Sequence, residues 1–170
     1  MMQYKTLLEE SLEAWAYARQ GVINEVKNIP VKNFGFRPTP ENRSVTELVQ
    51  HIIESGLMMS GELPRPNGNF RRQSYSRFIK EYADYVRKVA SKRELMDLLR
   101  STHAEGEKKF REAGEVFVLQ LITQFDGSMA TRFSWLQHGI AHEEYHRGQL
   151  ALYARLLGIV PALTKLIMGG

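Results

Sequence analysis

Trp135, Gly139, His142, His146, Leu150, Tyr153 and Leu157 recur at steps of three and four in the segment from about Met129 to Leu157, and this row most limits what the chain can fold into. Such spacing places them on one face of a long helix. The face is otherwise apolar, so the helix predicted here turns two imidazoles, one turn apart, toward a core. A buried imidazole needs a hydrogen-bonding partner or a metal ion. Other helices must therefore pack on this one, and one of them must bring a partner for the histidines.

Three further long helical stripes and one shorter one supply the packing. The first long helix spans Tyr4 to Val26 through Leu7, Leu8, Leu12, Trp15, Ala16, Ala18, Val22 and Ile23, and stops near Ile29-Pro30. After a segment rich in Pro, Asn and Gly, Ser44-Val45-Thr46-Glu47 reads as a capping box that opens a second helix running to about Ser60. Tyr75 to Ala90 shows helical spacing through Phe78, Tyr82, Tyr85, Val86 and Val89. A second box, Ser91-x-x-Glu94, opens a helix from Lys92 to about Ala113 with Leu95, Leu98, Leu99, Thr102 and Phe110 as its buried stripe and Gly114 as its stop. Glu115 to Thr123 reads as an extended or hairpin-like connection or as another turn of helix, and Asp126-Gly127 is a turn signal. The expected fold is all-α, an up-down four-helix bundle with an additional short helix and a short hairpin between the third and fourth long helices.

Composition narrows the chemistry. At 170 residues, 43% hydrophobic and 25% charged, the chain is expected to form one domain over 1–170 with a sizeable core. It contains no cysteine, which excludes disulfides, thiolate metal sites and cysteine nucleophiles. Glu9, Glu10 and Glu13 interrupt the apolar residues near the start, and no apolar run reaches the ~18 residues of a membrane span, so a cytoplasmic protein without a membrane partner is expected. The formal charge of +4 is scattered, with only pairs such as Arg71-Arg72 and Lys108-Lys109, and no nucleic-acid partner is expected.

Histidine and carboxylate are left as possible metal ligands. A helix rises about 6 Å over four residues, so His138, His142 and His146 cannot all reach one ion at ~2 Å. Geometry leaves open whether His138 with His142 or His142 with His146 forms the pair. A third ligand has to come from another helix. His51, beside the stripe Val45, Leu48, Val49 and Ile52, sits at the core boundary and is the choice over His103, which reads as a surface or capping histidine.

The pentapeptide His142-Glu143-Glu144-Tyr145-His146 also matches His-Glu-x-x-His, the zincin signature in which glutamate is the general base. Zincins take a third ligand from downstream, yet no His, Asp or Glu follows His146 here. In the extended form Gly148 falls one place early, and Leu152 stands where histidine is needed. The zincin reading is therefore set aside.

Two segments, Arg43 to Ile52 (RSVTELVQHI) and His138 to Leu150 (HGIAHEEYHRGQL), resemble the second- and fourth-helix segments of the DinB-like (damage-inducible) metal-binding four-helix bundles. That family also includes bacillithiol transferases and the metal-binding domain of mycothiol-dependent isomerases. The resemblance spans nearly the whole chain. It implies His51, His142 and His146 as ligands, with His138 outside the set, a divalent ion such as nickel or zinc, and commonly a homodimer. It does not imply one reaction.

Three neutral ligands leave a divalent ion its full charge and an open position. Water or a thiol could fill that position; without cysteine in the chain, the thiol would be a low-molecular-weight cosubstrate. Glu143, Tyr145 and Gln149 are candidates for supporting the ligands, Gly148 for close packing, and Arg147 for holding an anionic substrate group or a salt bridge. The segments Pro30 to Arg43, with Phe34, Phe36 and Arg37, and Gly61 to Ser74, with Arg65, Phe70, Arg71 and Arg72, either wall the site or connect helices through solvent. Met58 and Met59 read as core filler. Two functions follow: a metal-dependent thiol S-transferase or hydrolase acting on a small molecule, or a non-catalytic metal-binding and dimerisation module of a stress response.

Overall fold

The four apolar stripes form four long helices. The computed structural model, which describes residues 5–169, places them at α1 (Leu7–Asn28), α2 (Val45–Glu62), α4 (Lys92–Ala113) and α6 (Arg132–Leu156). Short helices α3 (Tyr75–Ala83), α5 (Glu115–Val118) and α7 (Ala162–Met168) lie between and after them. An antiparallel hairpin of β1 (Leu121–Thr123) and β2 (Met129–Thr131) precedes α6, with Ile122 opposite Ala130.

Caps set the helix ends. Thr6 accepts a bond from the Glu9 amide at α1; Tyr4, the expected start of that helix, lies outside the described residues. At α2 both halves of the capping box form, with the Glu47 amide 3.2 Å from Ser44 Oγ and the Ser44 amide 2.6 Å from Glu47 Oε2. Ser91 accepts from the Glu94 amide at 3.5 Å, which is one half of the second box. Gly114 ends α4 at φ 81°, a conformation that glycine adopts without strain.

Two expected boundaries move. Met129 to Thr131 is strand rather than helix, because Gly127, at φ 91°, turns the chain back onto β1 and Thr131 then caps α6 by accepting from the Ser134 amide. The helix expected to reach Ala90 ends at Ala83. The Arg87 and Val89 carbonyls beyond it are taken by Gln50 Nε2 of α2, at 3.4 and 2.8 Å, instead of by helix amides. Both alternatives for Glu115 to Thr123 occur in succession, a turn of helix and then a strand, and the terminal α7 was not anticipated.

Side-chain bonds fix the helix directions. Lys92 at the start of α4 reaches the Lys27 and Ile29 carbonyls at the end of α1, and the Leu8 amide meets Glu115 just past α4, so these two helices are antiparallel. Tyr153 late in α6 bonds the Arg43 carbonyl ahead of α2, while Arg132 at its start bonds the Leu63 carbonyl beyond α2. Gln137 pairs with Ser11, and Asn28 with the Val160 carbonyl, so α6 runs parallel to α1. The four-helix bundle thus runs up, down, down, up instead of in the alternating up-down order expected, because the connection 63–91 is long enough to return the chain along the bundle. α1 and α2 lie on one diagonal, each packed on α4 and α6. Leu12, Trp15 and Val22 meet Leu48, Ile52, Leu99, Phe110, Leu136 and Leu150 in the core, where burial contributes about 1.5–3 kcal/mol for each large side chain.

The buried face of α6 is wider than the expected row. His146, Leu150 and Tyr153 of that row are buried together with Leu136, Ile140, Glu143, Arg147 and Ala154, while Trp135, Gly139 and His142 are half-buried. The width follows from α6 packing on α1 as well as α2, and the histidines stand at the α2–α6 seam, at one margin of the face.

Candidate metal centre

The capping box at Ser44 starts α2 at a fixed point, and two turns later His51 stands at the seam facing α6. There His51 Nε2 lies 3.2 Å from His142 Nε2, which lies 3.0 Å from His146 Nε2. One nitrogen from each of the three rings falls within 4.8 Å of the others, and no carboxylate joins them among the described residues. Ligands at ~2.0–2.1 Å on a tetrahedral ion stand roughly 3.3 Å apart; the two spacings at His142 match this, and the third closes to it with a small movement of His51 or His146. Without an ion, a single His142 Nε2–H has to serve both neighbouring rings, whereas a cation among the three nitrogens takes up all three lone pairs.

Protonation favours the same use. Burial holds His51 down at about 3 and His142 at about 4, and it lowers His146 as well. The Arg43 charge acts in the same direction on all three. Each ring is therefore neutral near pH 7, the state that ligates. Gln149 Oε1 lies 2.8 Å from His146 Nδ1 and accepts its proton, which turns the Nε2 lone pair toward the cluster.

Other candidate residues separate from this centre. Glu143, expected to be solvated or to support the ligands, is 2% exposed and lines the apolar cavity beside His142, with its carboxylate turned to α1. It accepts from Trp15 Nε1 at 2.6 Å and from Arg19 at 2.8 and 2.5 Å, so its carboxylate is fully engaged. Tyr145 is 65% exposed, with its ring edge-on to His146 at 5.1 Å. Arg147 is buried, bonds Glu144 at 3.0 Å and lies over the Tyr17 ring, so it forms the salt bridge and does not face the cluster. Gly148 is exposed and a methyl group there would meet nothing within 4 Å, which overturns the close-packing expectation. His103 is not a surface residue: it is 8% exposed, edge-on to Trp15 at 4.5 Å, and burial lowers it to about 4. His138 is exposed and touches Trp135.

Two pockets flank the cluster. On the His142 side is an apolar cavity of about 280 Å³ walled by Met58, Met59, Phe70, Phe125, Trp135 and Gly139. A side chain at Gly139 would collide with Met59, so glycine there lets Met59 lie across α6. On the His51 side is a polar pocket of about 480 Å³ with Arg37, Arg43 and Arg87 and three glutamates. Both flexible-looking segments contribute walls: Phe70 from the second, Arg37 from the first. Arg72 instead pairs with the buried Glu62 at 2.7 Å and pins its segment to α2. Neither Phe125 nor Tyr75 was singled out in the sequence; their distance from any apolar row conceals them.

The sequence profile of the DinB family matches residues 1–168. The chain belongs to the DinB family. Among solved structures, a DinB-like protein of Bacillus subtilis shares 18% identity over 88% of this chain and 92% of its own, with a TM-score of 0.66. YfiT of Bacillus subtilis, described as a probable metal-dependent hydrolase with an unusual four-helix bundle topology, shares 12% identity over 94% of both chains at a TM-score of 0.71. A mycothiol-dependent maleylpyruvate isomerase shares 14% identity over 85% of this chain and 61% of its own at 0.69. At these identities the likeness is one of fold. No curated protein matches the sequence. Within the described residues of this DinB chain, no helix is long and apolar enough to cross a membrane.

Proposed function

We propose that the protein is a divalent-metal-dependent enzyme of the thiol S-transferase or hydrolase type, with His51, His142 and His146 holding nickel, zinc or a similar ion. The observation that carries this reading is the convergence of three neutral imidazoles from two helices with no fourth protein ligand among the described residues, between two pockets. A neighbour of the same fold described as a probable metal-dependent hydrolase supports it. A divalent ion so held is a Lewis acid that acidifies a thiol or water brought to its open position. Gln149 holds His146 in the ligating tautomer, Met59 and Trp135 keep bulk water from one side, and the polar pocket admits a reactant from the other.

Glu143 does not choose between the two chemistries. A thiol or a water at such an ion would be acidified alike and would release its proton to solvent, so neither depends on a protein base. With Glu143 bound to Arg19 and Trp15, thiol transfer from a low-molecular-weight cosubstrate and hydrolysis both stay within the reading. The same engagement supports a second reading, a metal-binding and dimerisation module of a stress response without turnover. Either way the proposed setting is a cytoplasmic homodimer acting without nucleic acid or membrane; exposed Leu152, Leu156, Leu166 and Ile167 offer apolar surface for a second copy.

Elemental analysis of tag-free protein tests the site. About one equivalent of metal in the native chain, lost in both His51→Ala and His146→Ala, is the expected result. No metal after reconstitution would overturn the reading. Turnover of a model electrophile with a thiol, present in the loaded protein and absent from both variants, separates enzyme from module.

A further inference from the structure

The two pockets share a wall. Tyr75, at the start of α3, lines both the apolar cavity and the polar pocket, and its hydroxyl lies 3.5 Å from Ser55 Oγ of α2. Each pocket touches the histidine cluster through a different ring, His142 in the cavity and His51 in the polar pocket, whose Nε2 atoms are 3.2 Å apart. A molecule that occupies both pockets must pass over the cluster.

The charges of the polar pocket are mostly committed to one another. Arg37 pairs with Glu47 at 3.1 Å and Arg87 with Glu54 at 2.8 Å, while Glu41 accepts from Thr39 Oγ1 at 2.7 Å. Arg43 is the arginine of this pocket that has no carboxylate partner among the described residues. Its backbone is fixed, since Tyr153 Oη of α6 donates to its carbonyl at 3.0 Å and Ser44, the next residue, caps α2, while its side chain is exposed and free to meet a ligand. Its charge is felt by all three imidazoles of the cluster. One uncommitted guanidinium among three glutamates suits a single negative charge and repels a polyanion.

The cavity specifies the other end. Phe70 stacks on Phe125 at 4.9 Å and tilts on Trp135 at 4.6 Å, which gives a rigid aromatic wall, and Met58 and Met59 face it with flexible thioethers. Such a cavity takes a ring or a branched aliphatic group.

We propose that this site selects an apolar monoanion, of the arylalkyl carboxylate kind, with its body in the Met59–Phe125–Trp135 cavity, its carboxylate at Arg43 and its middle over the histidine cluster. This deepens the metalloenzyme reading, and rests on it for any turnover of the bound acid.

Binding is measured by calorimetry on the full chain, as purified and after chelation, with 4-phenylbutyrate, its neutral amide and acetate as probes. The chelated protein is expected to bind the acid about tenfold more tightly than the amide, and acetate more weakly than either. Arg43→Gln is expected to erase the tenfold preference and leave the amide unchanged, and Arg43→Lys to restore part of it. Ser55→Trp, which fills the cavity, is expected to weaken acid and amide together. Unchanged acid affinity in Arg43→Gln, or no binding of acid or amide to the native chain, would overturn the inference. Because the chelated arm reads the pockets without the ion, acid preference there in a chain that retains no metal would uphold this inference while the metalloenzyme reading fails. A metal-loaded chain with no acid preference would do the reverse.

Discussion

Arg19 and Glu143 form a two-bond ion pair inside the bundle, Nε to Oε2 at 2.8 Å and Nη2 to Oε1 at 2.5 Å, with both side chains 2% exposed. Trp15 completes the carboxylate's partners, and Arg19 also donates to the Leu99 carbonyl of α4 at 2.8 Å. Gly56 of α2 leaves the room that the guanidinium fills. All four long helices thus meet at one carboxylate, on the residue next to His142.

Removing one partner of a buried pair leaves the other uncompensated, at a cost of about 3–5 kcal/mol. Glu143→Ala and Arg19→Ala are each expected to lose this much in urea unfolding, and Glu143→Leu combined with Arg19→Met to regain a good part of it. A loss below about 1 kcal/mol for Glu143→Ala would instead free Glu143 for a role as catalytic base.

Gln149 is expected to matter for metal affinity rather than for stability. Without an acceptor at Nδ1, His146 no longer holds its ligating tautomer, and such changes weaken metal binding by roughly 10–100-fold. Competition with a chelating dye measures Gln149→Leu against the native chain; equal affinities would show that the 2.8 Å bond has no part in the site.

His103 gives stability a pH dependence. Burial first, and the nearby Arg19 charge second, lower its pKa from 6.5 in the unfolded chain to about 4. Between those values the unfolded chain binds the extra proton, so its contribution is complete above pH 6.5 and declines as pH falls toward 4, by at most ~1.4 kcal/mol per pH unit. The site histidines shift the same way, so the relevant quantity is the difference between native and His103→Leu unfolding curves. A native chain no steeper than the variant between pH 6 and about 4 would contradict this origin.

Two helical glycines are expected to respond oppositely to alanine. At Gly106 a methyl group would sit 2.5 Å from Trp15 Cη2 and 3.0 Å from Ser60 Cβ, so Gly106→Ala is expected to destabilise by about 1–3 kcal/mol. At Gly148 it meets nothing within 4 Å, and Gly148→Ala is expected to stabilise by up to about 1 kcal/mol. Thermal unfolding of the two variants gives both signs.

The long helices were legible because their apolar rows are long and their starts carry capping residues. The short elements were not: Met129–Thr131 continues a helical row in sequence, and only pairing with Leu121–Thr123 makes it a strand. Spacing narrowed the ligands to His51 with an adjacent pair among His138, His142 and His146, the resemblance selected His142 and His146, and the fold does bring these three together. Glu143 was misread because the histidines were assumed to mark the centre of the buried face of α6; Leu136, Ile140 and Ala154, outside the row that holds His146, Leu150 and Tyr153, widen that face to take in Glu143. Arg43 and Tyr75 belong to no row, and only tertiary contact places them at the site.

The cluster joins positions far apart along the chain: His51 and His142 are separated by 91 residues. On the proposed reading, an ion shared between them closes a covalent-like loop in a protein that has no cysteine. Such a clasp narrows the unfolded ensemble as a crosslink does and is fastened or released by metal supply rather than by redox state.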